Sequence, residues 1–151
     1  MRLRDKPLSD GDDRDVRNSA AEDLVSRLFD RLAYVEGPVE VVRVLHEDLG
    51  LTEKDLAKAT GVRHESVSRW LAGAVNNVHA RDSINDLRYV VMALLRTGTM
   101  TLPRIAYWLC ARNIYLGIEP VEAIAEGDFE RVVEIGLAHA EGRAPDLAPL
   151  A

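Results

Sequence analysis

Residues 51–73, LTEKDLAKATGVRHESVSRWLAG, decide the fold, because they predict two short helices joined by a glycine turn. Thr52 is a favoured residue at a helix N-cap, and Asp55 three positions later completes a near capping box. Gly61 can adopt the left-handed backbone conformation that ends a helix. The second helix is predicted to begin at about His64. The stretch therefore predicts a tight helical pair.

The small and apolar residues of this stretch have the spacing of a helix-turn-helix motif. The motif needs a small residue where its helices cross, a glycine in the turn and apolar anchors on the second helix. These positions are Ala57, Gly61, Val67 and Trp70. A plain helical hairpin with a solvated arginine face is the alternative interpretation. Four constrained positions together favour the DNA-binding motif.

The second helix of a helix-turn-helix enters the major groove, where its first turn and outer face meet base edges. Arginine can donate two hydrogen bonds to guanine, and glutamate can accept one from the cytosine amine. Lysines and helix N-termini hold phosphates and fix the register. The predicted base contacts are Arg63, His64, Glu65, Ser68 and Arg69. The predicted phosphate contacts are Thr52, Lys54 and Lys58.

The rest of the chain has helical periodicity and no convincing strand pattern, so the predicted fold class is all-α. Residues 1–17 show no apolar period and are predicted to form a disordered arm. Residues 18–36 predict an amphipathic helix that packs either on its own chain or on a second subunit. We expect a helix-turn-helix domain over 37–80, a second helical domain over 81–142, and an extended tail over 143–151.

Cap and turn residues divide the second domain into helices. Residues 74–83 are predicted to be a loop, with Asp82 or Ser83 as the N-cap of a long helix that Gly98 ends. Proline is favoured in the first turn of a helix, and aspartate at the N-cap. The later helices are predicted to begin at Pro103, Pro120 and Asp128.

Charge is unevenly distributed along the chain, which has 25 acidic and 19 basic residues and a net charge of −6. Residues 37–112 hold ten basic and eight acidic residues, a net charge of +2. Residues 113–151 hold two basic and eight acidic residues, a net charge of −6. DNA affinity depends on the lysines and arginines near the phosphates. The middle of the chain therefore suits nucleic acid, and the last part suits a different partner.

No pattern predicts catalysis or a metal site. The carboxylates of residues 119–134 have no histidine or third ligand at metal-ligand spacing, and a solvated acidic face is the simpler interpretation. Cys110 is the only cysteine, which excludes an internal disulfide and a cysteine-based zinc site. No apolar run of about 18 residues could span a bilayer, and no signal peptide is recognisable. We expect a cytoplasmic protein without enzyme activity, cofactor, metal or membrane partner.

A further set of residues follows the helix-turn-helix in a distinctive order. The set comprises Trp108, Leu109, Asn113, Leu116, Gly117, Pro120, Glu122, Gly127, Val132 or Val133, and Gly142. In this order the chain resembles the Xre/MbcA/ParS antitoxins over about residues 40–142. The resemblance implies that residues 81–142 form a toxin-binding domain.

The resemblance also implies a partner, a RES-domain toxin that consumes NAD and is neutralised when the antitoxin covers its active-site entrance. A pocket for NAD needs cationic groups for the pyrophosphate, and an acidic antitoxin surface would complement them. The toxin contacts that the resemblance implies are Glu119, Glu122, Glu126, Asp128, Glu130 and Gly142, with the tail after Gly142.

The predicted function is therefore that of a type II antitoxin, which binds its toxin and represses its own operon by binding operator DNA. One recognition helix reads only a few base pairs, so we expect a homodimer or a larger hetero-oligomer with the toxin. The alternative is a stand-alone repressor of the phage type, without a toxin, whose C-terminal part serves dimerisation.

Overall fold

The computed structural model describes residues 10–73 and 75–146, with side chains from Ser19 onward, and these ranges contain helices and no strand. The all-α prediction is confirmed. The helices are α1 (Asp10–Tyr34), α2 (Pro38–Val44), α3 (Glu53–Thr60), α4 (His64–Ala72), α5 (Val78–Arg96), α6 (Leu102–Cys110), α7 (Pro120–Ala125) and α8 (Phe129–Ala140). A π-helical turn over Leu45–Leu49 continues α2.

Helix α1 is longer than the sequence predicts, because it begins at Asp10 and not at about residue 18. The predicted disordered arm is therefore wrong for residues 10–17, and residues 1–9 lie outside the described part. Apolar periodicity marks only the packed part of a helix, whereas backbone hydrogen bonds extend a formed helix one residue at a time. Leu28 and Leu32 are 2% and 0% exposed. The helix packs on its own chain.

Helix α2 follows α1 after a turn at Gly37, whose φ of 82° lies in the left-handed region. Pro38 occupies the first turn of α2, where its missing N–H leaves no hydrogen bond unmade. The helix buries Val41, Val42 and Val44 against the core. It continues through the π-helical turn to Gly50, which ends it with a φ of 90°.

Helix α5 is the central helix of the fold, since it packs against α1, α2, α3, α7 and α8. Its predicted start is wrong. The Asn77 side chain accepts a hydrogen bond from the Ala80 backbone N–H at 3.1 Å, so α5 begins at Val78. Ser83, one of the predicted caps, is 2% exposed within the helix. Asn77 and Ser83 could each cap a helix locally, and burial of Ala80, Ser83 and Ile84 against the core favours the earlier start.

One hydrophobic core runs through both predicted domains. The boundary predicted between residues 80 and 81 falls inside α5, and the core continues from α2 to α8. Helix α8 approaches closely at Gly136, where an added Cβ would lie 2.9 Å from Leu94 Cδ2. The last described residues, 143–146, have no regular secondary structure. The rest of the predicted extended tail, residues 147–151, lies outside the described part.

Candidate nucleic-acid interface

The first helix of the predicted motif, α3, begins at the predicted cap. The Thr52 hydroxyl accepts a hydrogen bond from the Asp55 backbone N–H, and the Asp55 carboxylate accepts one from the Thr52 backbone N–H, both at 3.0 Å. This reciprocal pair satisfies two backbone donors that the start of a helix leaves without partners. Thr52 itself is exposed. It lies where a phosphate could approach the N-terminus of α3.

The four spacing markers lie on α3, in the turn after it and on α4. Gly61 has a φ of 71° and ends α3 in the left-handed conformation. Ala57, Val67 and Trp70 are 6%, 0% and 7% exposed, so they form the contact between the two helices and the core. Trp70 is thus an anchor of α4, as its position on the helix predicts. Because these residues are buried, the opposite face of α4 is exposed to solvent.

The outer face of α4 is exposed and polar. Arg63, His64, Glu65 and Arg69 are all exposed. Arg63 is the N-cap residue of α4, and its side chain makes no capping hydrogen bond. Arg69 donates a hydrogen bond from Nη2 to Ser66 Oγ at 3.2 Å, which holds its guanidinium along the helix surface. Two exposed guanidinium groups therefore belong to α4, that of Arg63 at its N-cap and that of Arg69 in its last turn.

Glu53 engages two of the predicted base contacts, a role that the sequence did not reveal. His64 Nε2 lies 2.9 Å from Glu53 Oε2, and the Ser68 hydroxyl donates to the same oxygen at 2.8 Å. The Glu53 carboxylate at the start of α3 thus contacts side chains in the first two turns of α4. No spacing rule in the sequence could indicate this contact, because it depends on the crossing angle of the helices. Ser68 is accordingly half-buried.

Lys58, a predicted phosphate contact, pairs instead with Glu119, an implied toxin contact. Lys58 Nζ lies 3.0 Å and 3.3 Å from the two carboxylate oxygens of Glu119. The hydrogen bond and the charge of Glu119 raise the pKa of Lys58. Both side chains are thus engaged within the chain, in a contact that joins α3 to α7. Lys54, by contrast, is exposed.

The acidic residues at α7 and α8 fall into two groups. Glu122 accepts a hydrogen bond from the Glu119 backbone N–H at 3.3 Å and is half-buried, so this pair has a structural role at the start of α7. Glu126, Asp128 and Glu130 are exposed around the turn between α7 and α8. These three carboxylates therefore form the presented acidic face.

Cys110 lies beside the contact between α3 and α7. Burial raises the pKa of its thiol to about 12, with a contribution from the nearby carboxylate of Asp55. A thiol with such a pKa is almost entirely protonated at neutral pH, and the thiolate is the nucleophilic form. Cys110 is half-buried and packed against the core. It is therefore a small packing residue.

The fold and this geometry have a counterpart among solved structures. No family model and no curated protein matches the chain. The structure is similar to the antitoxin chain in the crystal structure of the M. tuberculosis MbcT–MbcA toxin–antitoxin complex, with 27% sequence identity and a TM-score of 0.56. The similarity covers 72% of this chain and 97% of that chain. The chain is thus similar to the MbcA-type antitoxins in fold and in sequence.

The residues of the antitoxin pattern have structural roles in the segment between α6 and α7. Trp108 and Leu109 are 8% and 0% exposed and anchor α6 in the core. The Asn113 backbone carbonyl accepts hydrogen bonds from the N–H groups of Leu116 and Gly117, at 3.2 Å and 2.8 Å. Gly117 has a φ of 77°, which only glycine adopts readily. The pattern therefore specifies a tight turn and its anchors.

Among residues 10–73 and 75–146, no three His, Cys, Asp or Glu side chains lie together as a metal site would require. None of the helices within those same ranges is long and apolar enough to cross a membrane.

Proposed function

We propose that the chain is an MbcA-type antitoxin that binds a protein toxin through its C-terminal part and represses its own operon through α4. The main support is that the chain has exposed arginines on α4, Arg63 and Arg69, and an exposed acidic face at the turn between α7 and α8. The first suits DNA and the second suits a cationic protein surface. The MbcA fold, found in a toxin–antitoxin complex, supports the pairing of the two roles.

The side chains that we propose as DNA contacts are those that the structure leaves exposed on α3 and α4. We assign base contacts to Arg63, Glu65 and Arg69, with His64 and Ser68 as positioning residues that Glu53 holds. Thr52 and Lys54 would hold phosphates. Operator half-sites lie about one helical turn apart for two-fold related recognition helices, so the proposed DNA-bound form is a homodimer or a larger hetero-oligomer with the toxin.

The proposed toxin is a RES-domain enzyme that consumes NAD. The sequence resemblance supports this class, and so does charge, since a pocket for a pyrophosphate is cationic. The exposed carboxylates of Glu126, Asp128 and Glu130 are the proposed contacts, together with Gly142 and the tail after it. We assign Glu119 and Glu122 a supporting role, because they hold the start of α7.

One pair of assays tests both halves of the proposal. The chain is co-expressed with the product of the adjacent gene and scored for growth rescue, and binding to its own promoter DNA is measured by fluorescence anisotropy. Arg63→Ala with Arg69→Ala should weaken promoter binding at least about thirtyfold, since each bidentate guanine contact contributes about 1–3 kcal/mol. Growth rescue should persist.

Arg27→Ala with Arg104→Ala is the matched control, because both arginines are exposed and lie outside the helix-turn-helix. This control should bind the promoter nearly as well as the wild type. Promoter binding without any growth rescue would favour the stand-alone repressor. Equal loss of binding in both double variants would show that α4 does not read the operator.

A further inference from the structure

A cavity of about 310 Å³ lies between α6, the segment that follows it and the last turn of α8. Ligand pockets have volumes of about 300–1,000 Å³, so this cavity suits one small molecule. Its walls include two arginines, three aromatic rings and one amide. These side chains are those of Arg104, Tyr107, Trp108, Arg112, Asn113 and His139. None of them is among the DNA or toxin contacts proposed above.

Helix α6 contributes three of these side chains from one face. Tyr107 and Trp108 follow Arg104 at three and four positions, and such positions lie on the same side of a helix. Trp108 is 8% exposed, whereas Tyr107 is 76% exposed. Trp108 therefore belongs to the floor of the cavity, and Tyr107 is an aromatic wall open to solvent. Packing within the chain does not account for so exposed a ring.

Helix α8 brings a second ring to this floor. Gly136 lets α8 approach α6 closely, because an added Cβ would lie 3.1 Å from Trp108 Cη2. Three residues later, the His139 ring stacks on Trp108, with ring centroids 6.2 Å apart and ring planes at 28°. His139 is exposed. The floor is thus a pair of stacked rings, of which the outer one is accessible to a ligand.

The segment after α6 adds Arg112 and an amide of fixed orientation. The backbone is extended at Ala111, where α6 ends, and the chain then turns at Asn113. The Asn113 Oδ1 atom accepts a hydrogen bond from the Tyr115 backbone N–H at 2.9 Å. Because its oxygen is engaged in this way, the Nδ2 group is the part of the Asn113 amide that can donate to a ligand.

The cavity wall is cationic, although the chain has a net charge of −6. Arg104 and Arg112 are exposed, and no aspartate or glutamate is among the described residues that line the cavity. Within residues 19–73 and 75–146, neither guanidinium forms an ion pair with a carboxylate. A phosphate monoester carries a charge of about −1.5 to −2 at pH 7. Arginine suits phosphate because its planar group can donate two parallel hydrogen bonds.

We propose that this cavity binds a nucleoside monophosphate, whose phosphate is held by Arg104 and Arg112. The base lies on the exposed rings of Tyr107 and His139. Every nucleobase has a π-face, so stacking on these rings requires no particular base. The volume of the cavity favours a single nucleotide over a strand, which binds along a groove. This inference does not depend on the proposed function.

Nuclear magnetic resonance of the full-length chain tests the proposal without any substitution. The chain has two tryptophans, and Trp108 lines the cavity whereas Trp70 lies on α4. Titration with AMP should shift the indole N–H signal of Trp108 and leave that of Trp70 in place. No shift of the Trp108 signal up to about 10 mM AMP, which would fill even a millimolar site, would overturn the proposal. Equal shifts of both signals would show binding without a site and would also contradict it.

Three further ligands separate the parts of the proposed contact. Adenosine and inorganic phosphate each offer one half of AMP, so each should bind at least about tenfold more weakly than AMP. If either bound as tightly as AMP, the rings and the arginines would not act on one ligand, and the proposal would be wrong. Tetrathymidylate that bound more than about tenfold tighter than AMP would assign the surface to single-stranded nucleic acid instead.

Substitutions at exposed positions test the two kinds of contact by isothermal titration calorimetry. Arg112→Gln removes a charged donor and should weaken AMP binding at least about tenfold. Tyr107→Ala should weaken the binding of AMP more than that of inorganic phosphate. Arg27→Gln is the matched control, since Arg27 is exposed and is not among the residues that line the cavity. Equal weakening by Arg112→Gln and Arg27→Gln would mean that net charge attracts AMP, and not this cavity.

Discussion

Lys58 and Glu119 form an ion pair that links α3 to α7, and its effect on stability should depend on pH. Glu119 raises the folded-state pKa of Lys58 above its ordinary value of 10.5. The folded chain therefore keeps a proton at alkaline pH that the unfolded chain loses. The stabilisation is complete below the ordinary pKa and is lost as pH rises through the folded one.

We expect Glu119→Gln to lower the urea midpoint of unfolding by a small amount at pH 8, because both side chains are partly exposed and solvent screens the pair. The difference from wild type should shrink as pH rises above 10.5. Urea titrations at several pH values measure it, with the exposed Glu36→Gln as control. A difference that stays constant to the highest pH would contradict an origin in Lys58.

At the scale of a helix, the start of α5 depends on Asn77. An N-cap substitution by alanine costs about 0.5–2 kcal/mol, so Asn77→Ala should lower the free energy of unfolding by about 1 kcal/mol. The first turn of α5 should also exchange its amide hydrogens faster. Asn76→Ala is the matched control, since Asn76 is exposed and adjacent but does not cap the helix. Equal effects of the two substitutions would mean that the cap is not the cause.

The sequence predicts most elements of this fold, because apolar periodicity, glycines and prolines act locally. The ends of α3 are predicted nearly to the residue, because Thr52 and Gly61 determine them through local backbone interactions. The start of α5 is not predicted, because Asn77 and Ser83 are both acceptable caps and only the burial of Ser83 in the folded chain distinguishes them. The same limit applies to the candidate site. Spacing could indicate the exposed arginines of α4, but not the contact of Glu53 with His64.

For the whole molecule, the Lys58–Glu119 contact means that the two proposed binding faces belong to one packed unit. Helix α3 contacts α4 on one side and α7 on another. A Cβ added at Gly61, in the turn of the motif, would lie 3.9 Å from the Ala125 side chain at the end of α7. The separation of the two roles therefore rests on charge, with the acidic face at α7–α8 and the arginines on α4, and not on a flexible linker between domains.

Because the charges are separated in this way, reversing the charge of the acidic face should slow toxin association and leave promoter binding unchanged. Glu126→Lys, Asp128→Lys and Glu130→Lys together should slow toxin association at low salt by about ten- to a hundredfold, because steering by complementary charge raises association rates by such factors. The loss should be small at about 1 M salt, where the Debye length is about 3 Å. Promoter binding should be retained. Stopped-flow association with the toxin at several salt concentrations measures the effect.

Asp23→Lys, Glu36→Lys and Glu47→Lys together form the matched control, since these residues are exposed, change the net charge equally and lie outside α7 and α8. Steering depends on where charge lies as well as on its total, because screening limits each charge to about 10 Å at 0.1 M salt. The control should therefore retain most of the wild-type association rate. If both triple variants slowed association equally, the net charge of the antitoxin, and not the face at the turn between α7 and α8, would guide the toxin.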